Sequence, residues 1–197
     1  MDPVRRRAAV IATLGALPVA VLVGVVLFFL ADRNNDAHPK TEPTTAPTAA
    51  MRALPPVQVK PAPRTKAADK ACPELLAKLP VKLDGQGRRR TSTPDQYYLA
   101  WGNPTIIVHC GVPRPEKFVV GEKTTGVAPP GGKEVQWYPE TVDAGSTWTA
   151  VDRKVYVSVF VPDGVAATDV LQEIGTPLAK LLPAQPIHPG PLIHPPR

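Results

Sequence analysis

Hydrophobic and polar positions divide the chain into one long apolar run, two proline-rich stretches and one segment of mixed patterning. The apolar run covers residues 8–31 and holds no charged side chain. Residues 32–70 contain seven prolines, and residues 183–197 contain six. Residues 71–182 instead repeat apolar positions with the periods of strands and helices. The pattern predicts one globular domain over residues 71–182, because proline-rich stretches bury too little apolar surface to fold.

The clearest strand pattern in this domain runs from Lys154 to Val161. Its valines occupy alternate positions and face one side of the strand, while Tyr156, Ser158 and Phe160 face the other. Shorter runs of β-branched and aromatic residues predict further strands at residues 105–110, 118–120, 135–138 and 146–151. The domain is therefore expected to be built around a β-sheet.

Helical periodicity occurs at both ends of the same segment. Pro73 suits the first turn of a helix whose apolar side is formed by three leucines. The closing helix has Asp169 as a candidate N-cap, with Gln172 as its capping-box partner, and Pro177 is expected to kink it. The predicted fold class is α+β, a small antiparallel sheet with flanking helices.

The apolar run of residues 8–31 is long enough to cross a membrane. A helix of 24 residues spans about 36 Å, against a hydrocarbon core of about 30 Å. Three arginines precede the run, whereas Arg33 follows it beside Asp32. The positive-inside rule then places residues 1–7 in the cytoplasm and the rest of the chain outside. The alternative is a cleaved signal peptide, whose apolar region is usually shorter and ends in small residues.

The two proline-rich stretches are predicted to be disordered. Residues 32–70, the linker, are expected to act as an extended spacer between the membrane and the domain. Residues 183–197, the tail, hold His188 and His194, which are too few ligands for a metal site. No metal or cofactor is expected from the sequence.

The net charge of +6 is concentrated outside the domain. Residues 1–70 carry ten Lys and Arg against five Asp and Glu, whereas residues 71–182 carry twelve of each. Nucleic-acid binding normally needs a basic surface on the folded part. The neutral domain therefore gives no reason to expect a nucleic-acid partner.

Cys72 and Cys110 are the only cysteines, and they lie 38 positions apart. Two cysteines in an oxidising compartment predict one disulfide bond. The spacing is not the CxxC of a redox motif, and zinc would need two more ligands where the domain offers only His109. The sequence therefore predicts a structural disulfide.

The candidate ligand-binding residues are cationic or aromatic, namely Arg88, Arg89, Arg90, Trp101, Arg114 and Arg153. Guanidinium groups bind phosphates and carboxylates through paired hydrogen bonds, and tryptophan stacks on sugars or on arginine. The alternative is that the arginines form a solvated turn and a buried ion pair, with Trp101 in the core. No catalytic residue is assigned, since no nucleophile elbow, P-loop or GxGxxG motif is present.

An ordered series of short motifs carries a family resemblance. It comprises Ala71-Cys72-Pro73, Leu79-Pro80, Asp84-Gly85, Arg88-Arg89-Arg90-Thr91, Ala100-Trp101-Gly102-Asn103-Pro104, Cys110-Gly111-Val112-Pro113-Arg114-Pro115, Trp137 and Thr149-Ala150-Val151-Asp152-Arg153. On these motifs the chain resembles an uncharacterised family of actinobacterial envelope proteins, domain of unknown function 3515. The resemblance covers nearly all of residues 71–182 and leaves out the linker and the tail. It implies a single-pass envelope protein with its domain outside, and implies no activity or ligand.

Two functions are compatible with these features. The favoured one is a membrane-anchored interaction module that presents its domain to the cell wall or to another envelope protein. The alternative is an extracytoplasmic enzyme or binding factor for an anionic cell-wall or lipid group, using the arginine cluster. A pocket that joins arginines to a carboxylate or to His109 would favour the second function, and a shallow apolar patch the first.

Overall fold

The computed structural model describes residue 51 and residues 53–60, 64–92 and 96–192. The predicted cytoplasmic flank and the predicted span over residues 8–31 lie outside the described residues. Within the described ranges, no helix is both long enough and apolar enough to cross a membrane.

Eight antiparallel strands form one sheet, in the spatial order β1-β2-β3-β4-β8-β7-β6-β5. The strands are β1 (Lys82–Leu83), β2 (Gln86–Arg89), β3 (Tyr98–Trp101), β4 (Ile106–Val112), β5 (Thr125–Val127), β6 (Val135–Val142), β7 (Gly145–Ala150) and β8 (Tyr156–Pro162). The last strand lies between β4 and β7 and so joins two hairpin-connected halves. The predicted α+β class with an antiparallel sheet is confirmed, and the sheet has more strands than the sequence patterns indicated.

The valine side of β8 is the core side of the sheet. Val157, Val159 and Val161 are buried, whereas Ser158 and Phe160 between them are half-buried. The predicted alternation along this strand is therefore confirmed. The predicted strand at residues 118–120 is wrong, because this segment makes only one isolated bridge to the tail.

Two helices, α1 (Lys66–Lys78) and α2 (Ala167–Leu181), flank the sheet in sequence. Pro73 lies inside α1 rather than in its first turn, because the helix begins within the predicted linker, where the Thr65 hydroxyl caps it by accepting from the Ala68 amide. Asp169 is likewise not the N-cap of α2. That position is held by Ala166, and Asp169 lies in the first turn, where a carboxylate interacts favourably with the helix dipole.

The predicted disulfide between Cys72 and Cys110 is present and joins α1 to β4. Gly111 follows at a register shift between β4 and β8, with a φ of +87°. A Cβ atom there would lie 2.9 Å from the Cβ of Ala68 on α1. Glycine therefore supplies both the backbone angle and the space that this close helix-to-strand contact requires.

The tail differs from its predicted disorder over residues 184–190. Ala184 pairs with Arg153, and the amide of Gly190 donates to the carbonyl of Phe118 at 2.8 Å. Proline-rich sequence does not prevent such pairing, because its remaining amides and carbonyls can bond to loops of the domain. The start of this tail therefore forms part of the folded domain.

Candidate functional site

Arg88 and Trp101, two of the predicted ligand-binding residues, are packed into the fold. Trp101 on β3 is fully buried, and its indole N–H donates to the carbonyl of Pro80. Arg88 on β2 lies over the Trp101 ring and donates to the carbonyls of Leu79 and Pro80. Burial lowers the pKa of Arg88, which nevertheless stays protonated at neutral pH. Both side chains therefore stabilise the connection between α1 and β1.

Arg89 and Arg90 also contact the chain itself. The Arg89 guanidinium donates to the Thr105 hydroxyl at 2.7 Å and to the carbonyl of Pro55 at 2.6 Å. Arg90 has an exposed side chain, and its carbonyl accepts from the amide of Val57 at 2.8 Å. These two residues therefore hold residues 53–60, which precede α1, against the end of β2 through hydrogen bonds.

Arg114 and Arg153 have a different setting, since both line a cleft of about 560 Å³, here named the basic cleft. Its walls come from the start of α1, the chain after β4, the residues leading into β8, and the ordered start of the tail. The other polar residues that line it are Thr65, Lys154, Tyr156, Gln185 and His188. No aspartate or glutamate is among the described residues that line it. The tertiary structure thus divides the predicted arginine cluster into a structural part and a cleft part.

Arg153 is the buried member of the basic cleft. Its side chain is 1% exposed and forms an ion pair with Asp152, with 2.7 Å between Nη1 and Oδ2. Burial raises the pKa of Asp152, and the Arg153 guanidinium acts in the opposite direction. Within the described part of the chain, Arg153 Nε and Asp152 Oδ1 are buried without a hydrogen-bond partner. The same guanidinium donates to the carbonyls of Asp152 at 3.0 Å and Glu134 at 3.3 Å, so most of its hydrogen-bonding capacity is used within the domain.

Arg114 and Lys154 are the exposed cations of the basic cleft. The Arg114 guanidinium packs against Gly190 of the tail, where a Cβ atom would lie 3.1 Å from Nη2. Because Asp152 offsets the charge of Arg153, these two side chains supply the positive charge that an incoming anion would meet. The tail therefore helps to position one of the two exposed cations.

The first turn of α1 adds a further favourable interaction for anions. Thr65 and Ala67 line the cleft at the N-terminus of this 13-residue helix. The first amides of a helix point away from its body and carry the positive end of the helix dipole. The dipole therefore favours an anion here, whereas Asp69 in the same turn carries a negative charge and the Ala68 amide is already used by the Thr65 cap.

Lys154, Tyr156, Gln185 and His188 line the cleft but were not among the predicted site residues. Tyr156 was visible only as an outward position of the β8 pattern, and His188 lay in a segment predicted to be disordered. No spacing in the sequence relates the tail to the residues before β8. These residues line one cleft because the backbone of the tail pairs with the residues before β8. Local sequence patterns do not predict pairing between segments so far apart.

His109, the one histidine of residues 71–182, lies away from the basic cleft. His109 stacks on Tyr98 with 4.0 Å between ring centroids, on the side of β4 opposite the buried Ile106 and Val108. It does not line the basic cleft, whose histidine is His188. No group of three or more metal-ligating side chains occurs within the ranges that the structure describes. The cleft therefore meets the sequence-based criterion for the second function only in its arginines, because neither a carboxylate nor His109 is among the described residues that line it. The chemistry that it offers is binding of an anion through cationic groups.

Comparison with known proteins supports a family assignment without an activity. No curated protein and no solved structure matches the chain. A family described as a protein of unknown function, DUF3515, matches residues 15–187, which is wider than the motif series within residues 71–182. The match includes the whole linker and the start of the tail, both of which the motif-based resemblance left out. Because it covers most of the 197 residues, the chain belongs to the DUF3515 family of proteins of unknown function.

Proposed function

We propose that this protein is a membrane-anchored, extracytoplasmic binding domain for an anionic group, which it holds in the basic cleft. The observation that carries the proposal is that two exposed cations, Arg114 and Lys154, come from separate loops to line one cleft, beside the buried and ion-paired Arg153. The ligand would be an anionic group of the cell wall or of a lipid, and the phosphate class fits best. Guanidinium groups and helix amides bind tetrahedral oxyanions through several hydrogen bonds at once.

The proposed location rests on two features of the chain. The uncharged run over residues 8–31 is long enough for a membrane span, with arginines on the predicted cytoplasmic side. The disulfide between Cys72 and Cys110 is typical of proteins that fold outside the cytoplasm. Together these features favour a domain that faces the cell envelope.

Calorimetric titration of the full chain with inorganic pyrophosphate tests the binding function. The chain is held in nanodiscs of zwitterionic lipid, so that the membrane itself offers no net anion. We expect saturable binding that weakens about tenfold or more in Arg114→Ala and in Lys154→Ala, since each removes a charge-assisted hydrogen bond. Both side chains are exposed, so these variants are expected to fold.

Matched controls use exposed cations that do not line the cleft. Arg90→Ala is compared with Arg114→Ala, and Lys117→Ala with Lys154→Ala. Equal loss of pyrophosphate binding in a variant and its control would show a general charge effect and overturn the proposed site. Unchanged binding in both cleft variants would overturn it as well.

Topology is tested separately with reporter fusions. A phosphatase that is active only outside the cytoplasm, fused after Leu192, is expected to be active, and the same reporter in place of residues 8–197 inactive. An inactive reporter after Leu192, with the fusion protein present at normal level, would contradict the extracytoplasmic location. It would leave the pyrophosphate result as an independent finding.

A further inference from the structure

A second cavity adjoins the basic cleft and differs from it in chemistry. It has a volume of about 310 Å³ and lies between α1, the end of α2 and the residues leading into β8. The two cavities share four lining residues, Ala67, Lys154, Val155 and Gln185. The two cavities therefore adjoin each other along these residues, and together they are here named the depression.

The second cavity, here named the apolar cavity, is lined mainly by hydrocarbon. Ala71 comes from α1, and Leu181, Leu182 and Pro183 come from the end of α2. Its own charged residues are Lys70 and Glu74, one turn apart on α1 and exposed. These two charges are of opposite sign, so they give the apolar cavity no net preference for an ion.

Positive charge is concentrated at the other end of the depression. Arg114 and Arg153 line the basic cleft and do not line the apolar cavity. Lys154 is shared and therefore marks the boundary between the charged part and the hydrocarbon part. The depression is thus polarised along its length, with cations at one end and aliphatic side chains at the other.

From this arrangement we infer that the ligand is an anionic amphiphile, whose head group occupies the basic cleft while its alkyl chain enters the apolar cavity. The inference rests on the proposed function and adds the chemical class of the ligand. A free inorganic anion would use only the cationic end. An alkyl phosphate also removes apolar surface from water at Leu181 and Pro183, which strengthens binding by about fourfold for each methylene that enters the cavity.

The test uses octyl phosphate with a photoreactive diazirine at the end of its chain, added to the full chain in zwitterionic nanodiscs. We expect light-induced crosslinks on the peptides that hold α1 and residues 181–185. Excess inorganic pyrophosphate is expected to compete for the head-group site and reduce the crosslinks. The same alkyl chain on a neutral glucoside head is expected to label these peptides at least tenfold less.

Two substitutions test the basic cleft and the apolar cavity separately. Arg114→Ala is expected to lower labelling by octyl phosphate about tenfold, because the head group loses a charged partner. Pro183→Asp places a charge against the alkyl chain and is expected to lower labelling by octyl phosphate while leaving pyrophosphate binding unchanged. Pro130→Asp adds the same charge at an exposed position that lines neither cavity and is expected to change neither result.

The outcomes distinguish this inference from the proposed function. If pyrophosphate binds in the cleft and octyl phosphate competes for it no better than methyl phosphate, the amphiphile inference is wrong and the proposed function stands. If the neutral glucoside labels as strongly as octyl phosphate and Arg114→Ala does not lower labelling, the amphiphile inference is wrong, because the alkyl chain then binds without its anionic head; the proposed function is then decided by the pyrophosphate titration. Binding of neither pyrophosphate nor octyl phosphate overturns both.

Discussion

The guanidinium carbon of Arg88 lies 5.6 Å from the ring centroid of Trp101, and both side chains donate hydrogen bonds to the carbonyl of Pro80. One backbone oxygen thereby fixes a cation and an indole from two adjacent strands. This relationship explains why two residues with ligand-binding chemistry take no part in the cleft: their hydrogen-bonding groups are used inside the domain.

Arg88→Ala is expected to lower the free energy of unfolding by about 1–3 kcal/mol, since the carbonyls of Leu79 and Pro80 lose a charged donor. Lys82→Ala, at an exposed side chain on the adjacent strand β1, is expected to lower it by less than about 0.5 kcal/mol. Urea denaturation of both variants measures the difference. Equal stability of the two would show that the contacts of Arg88 contribute nothing to folding.

The disulfide is expected to stabilise the domain by about 4 kcal/mol, because Cys72 and Cys110 close a loop of 38 positions in the unfolded chain. The double variant Cys72→Ser with Cys110→Ser should show this loss in urea denaturation. A thiol assay on the unfolded, non-reduced wild-type protein should find no free thiol. Two free thiols per chain in that assay would contradict the disulfide bond.

Gly111→Ala is expected to lower the free energy of unfolding by more than about 2 kcal/mol. The left-handed backbone angle costs about 1–2 kcal/mol for alanine, and the new Cβ would also clash with Ala68, only 2.9 Å away. Gly164→Ala is the control, since Gly164 has a similar φ of +83° and a Cβ atom there would have no atom within 4 Å. Thermal melts should rank Gly111→Ala well below Gly164→Ala, and the opposite ranking would exclude the helix contact as the cause.

Arg153→Met is expected to lower the free energy of unfolding by about 3–5 kcal/mol, because it leaves the carboxylate of Asp152 buried without its partner. The double variant Arg153→Met with Asp152→Leu removes both charges and is expected to recover most of that stability. Urea denaturation of both proteins gives the comparison. If the double variant is no more stable than Arg153→Met, the ion pair stabilises the domain by more than the mutual neutralisation of its two charges.

Stability is expected to fall as the pH rises above about 10, in part because of Tyr138. Burial raises the pKa of Tyr138, and the nearby carboxylates of Glu122 and Glu140 raise it further. The unfolded chain, in which tyrosine has its usual pKa of about 10, releases this proton first, so the folded state binds more protons above that pH. Tyr138→Phe should lose less stability than wild type between pH 9 and pH 12 in urea denaturation. Identical pH profiles would show that Tyr138 does not contribute.

The sequence could predict those elements whose pattern is complete within a few residues. The alternating valines of β8 identify a strand with one buried face, because side chains of a strand point to opposite sides by geometry. The cysteine count likewise predicted one bridge, since no other pairing within the chain was available. The start of α1 was placed too late because its first two turns are rich in charge and alanine, which is a weak local signal.

The candidate site could be predicted only in part. Arg114 and Arg153 were identified by their residue type, and so were Arg88, Arg89 and Trp101, which proved to be packed into the fold. Guanidinium chemistry is the same in both sets. Arg114 is exposed and lines the cleft, whereas Arg88 and Arg89 donate to carbonyls of the chain away from it. Arg153 does both, since it lines the cleft and donates to the carbonyls of Asp152 and Glu134.

The α+β class, the disulfide and the family resemblance could be inferred from the sequence alone, because they follow from local periodicity, residue counts and ordered motifs. Three relationships were visible only once the chain was folded: the tail folds back beside Arg153, His188 joins Arg114 in one cleft, and a hydrocarbon-lined cavity adjoins that cleft. These relationships join segments far apart along the chain. They arise from backbone pairing and packing among all the elements together, and no local pattern of side chains encodes them.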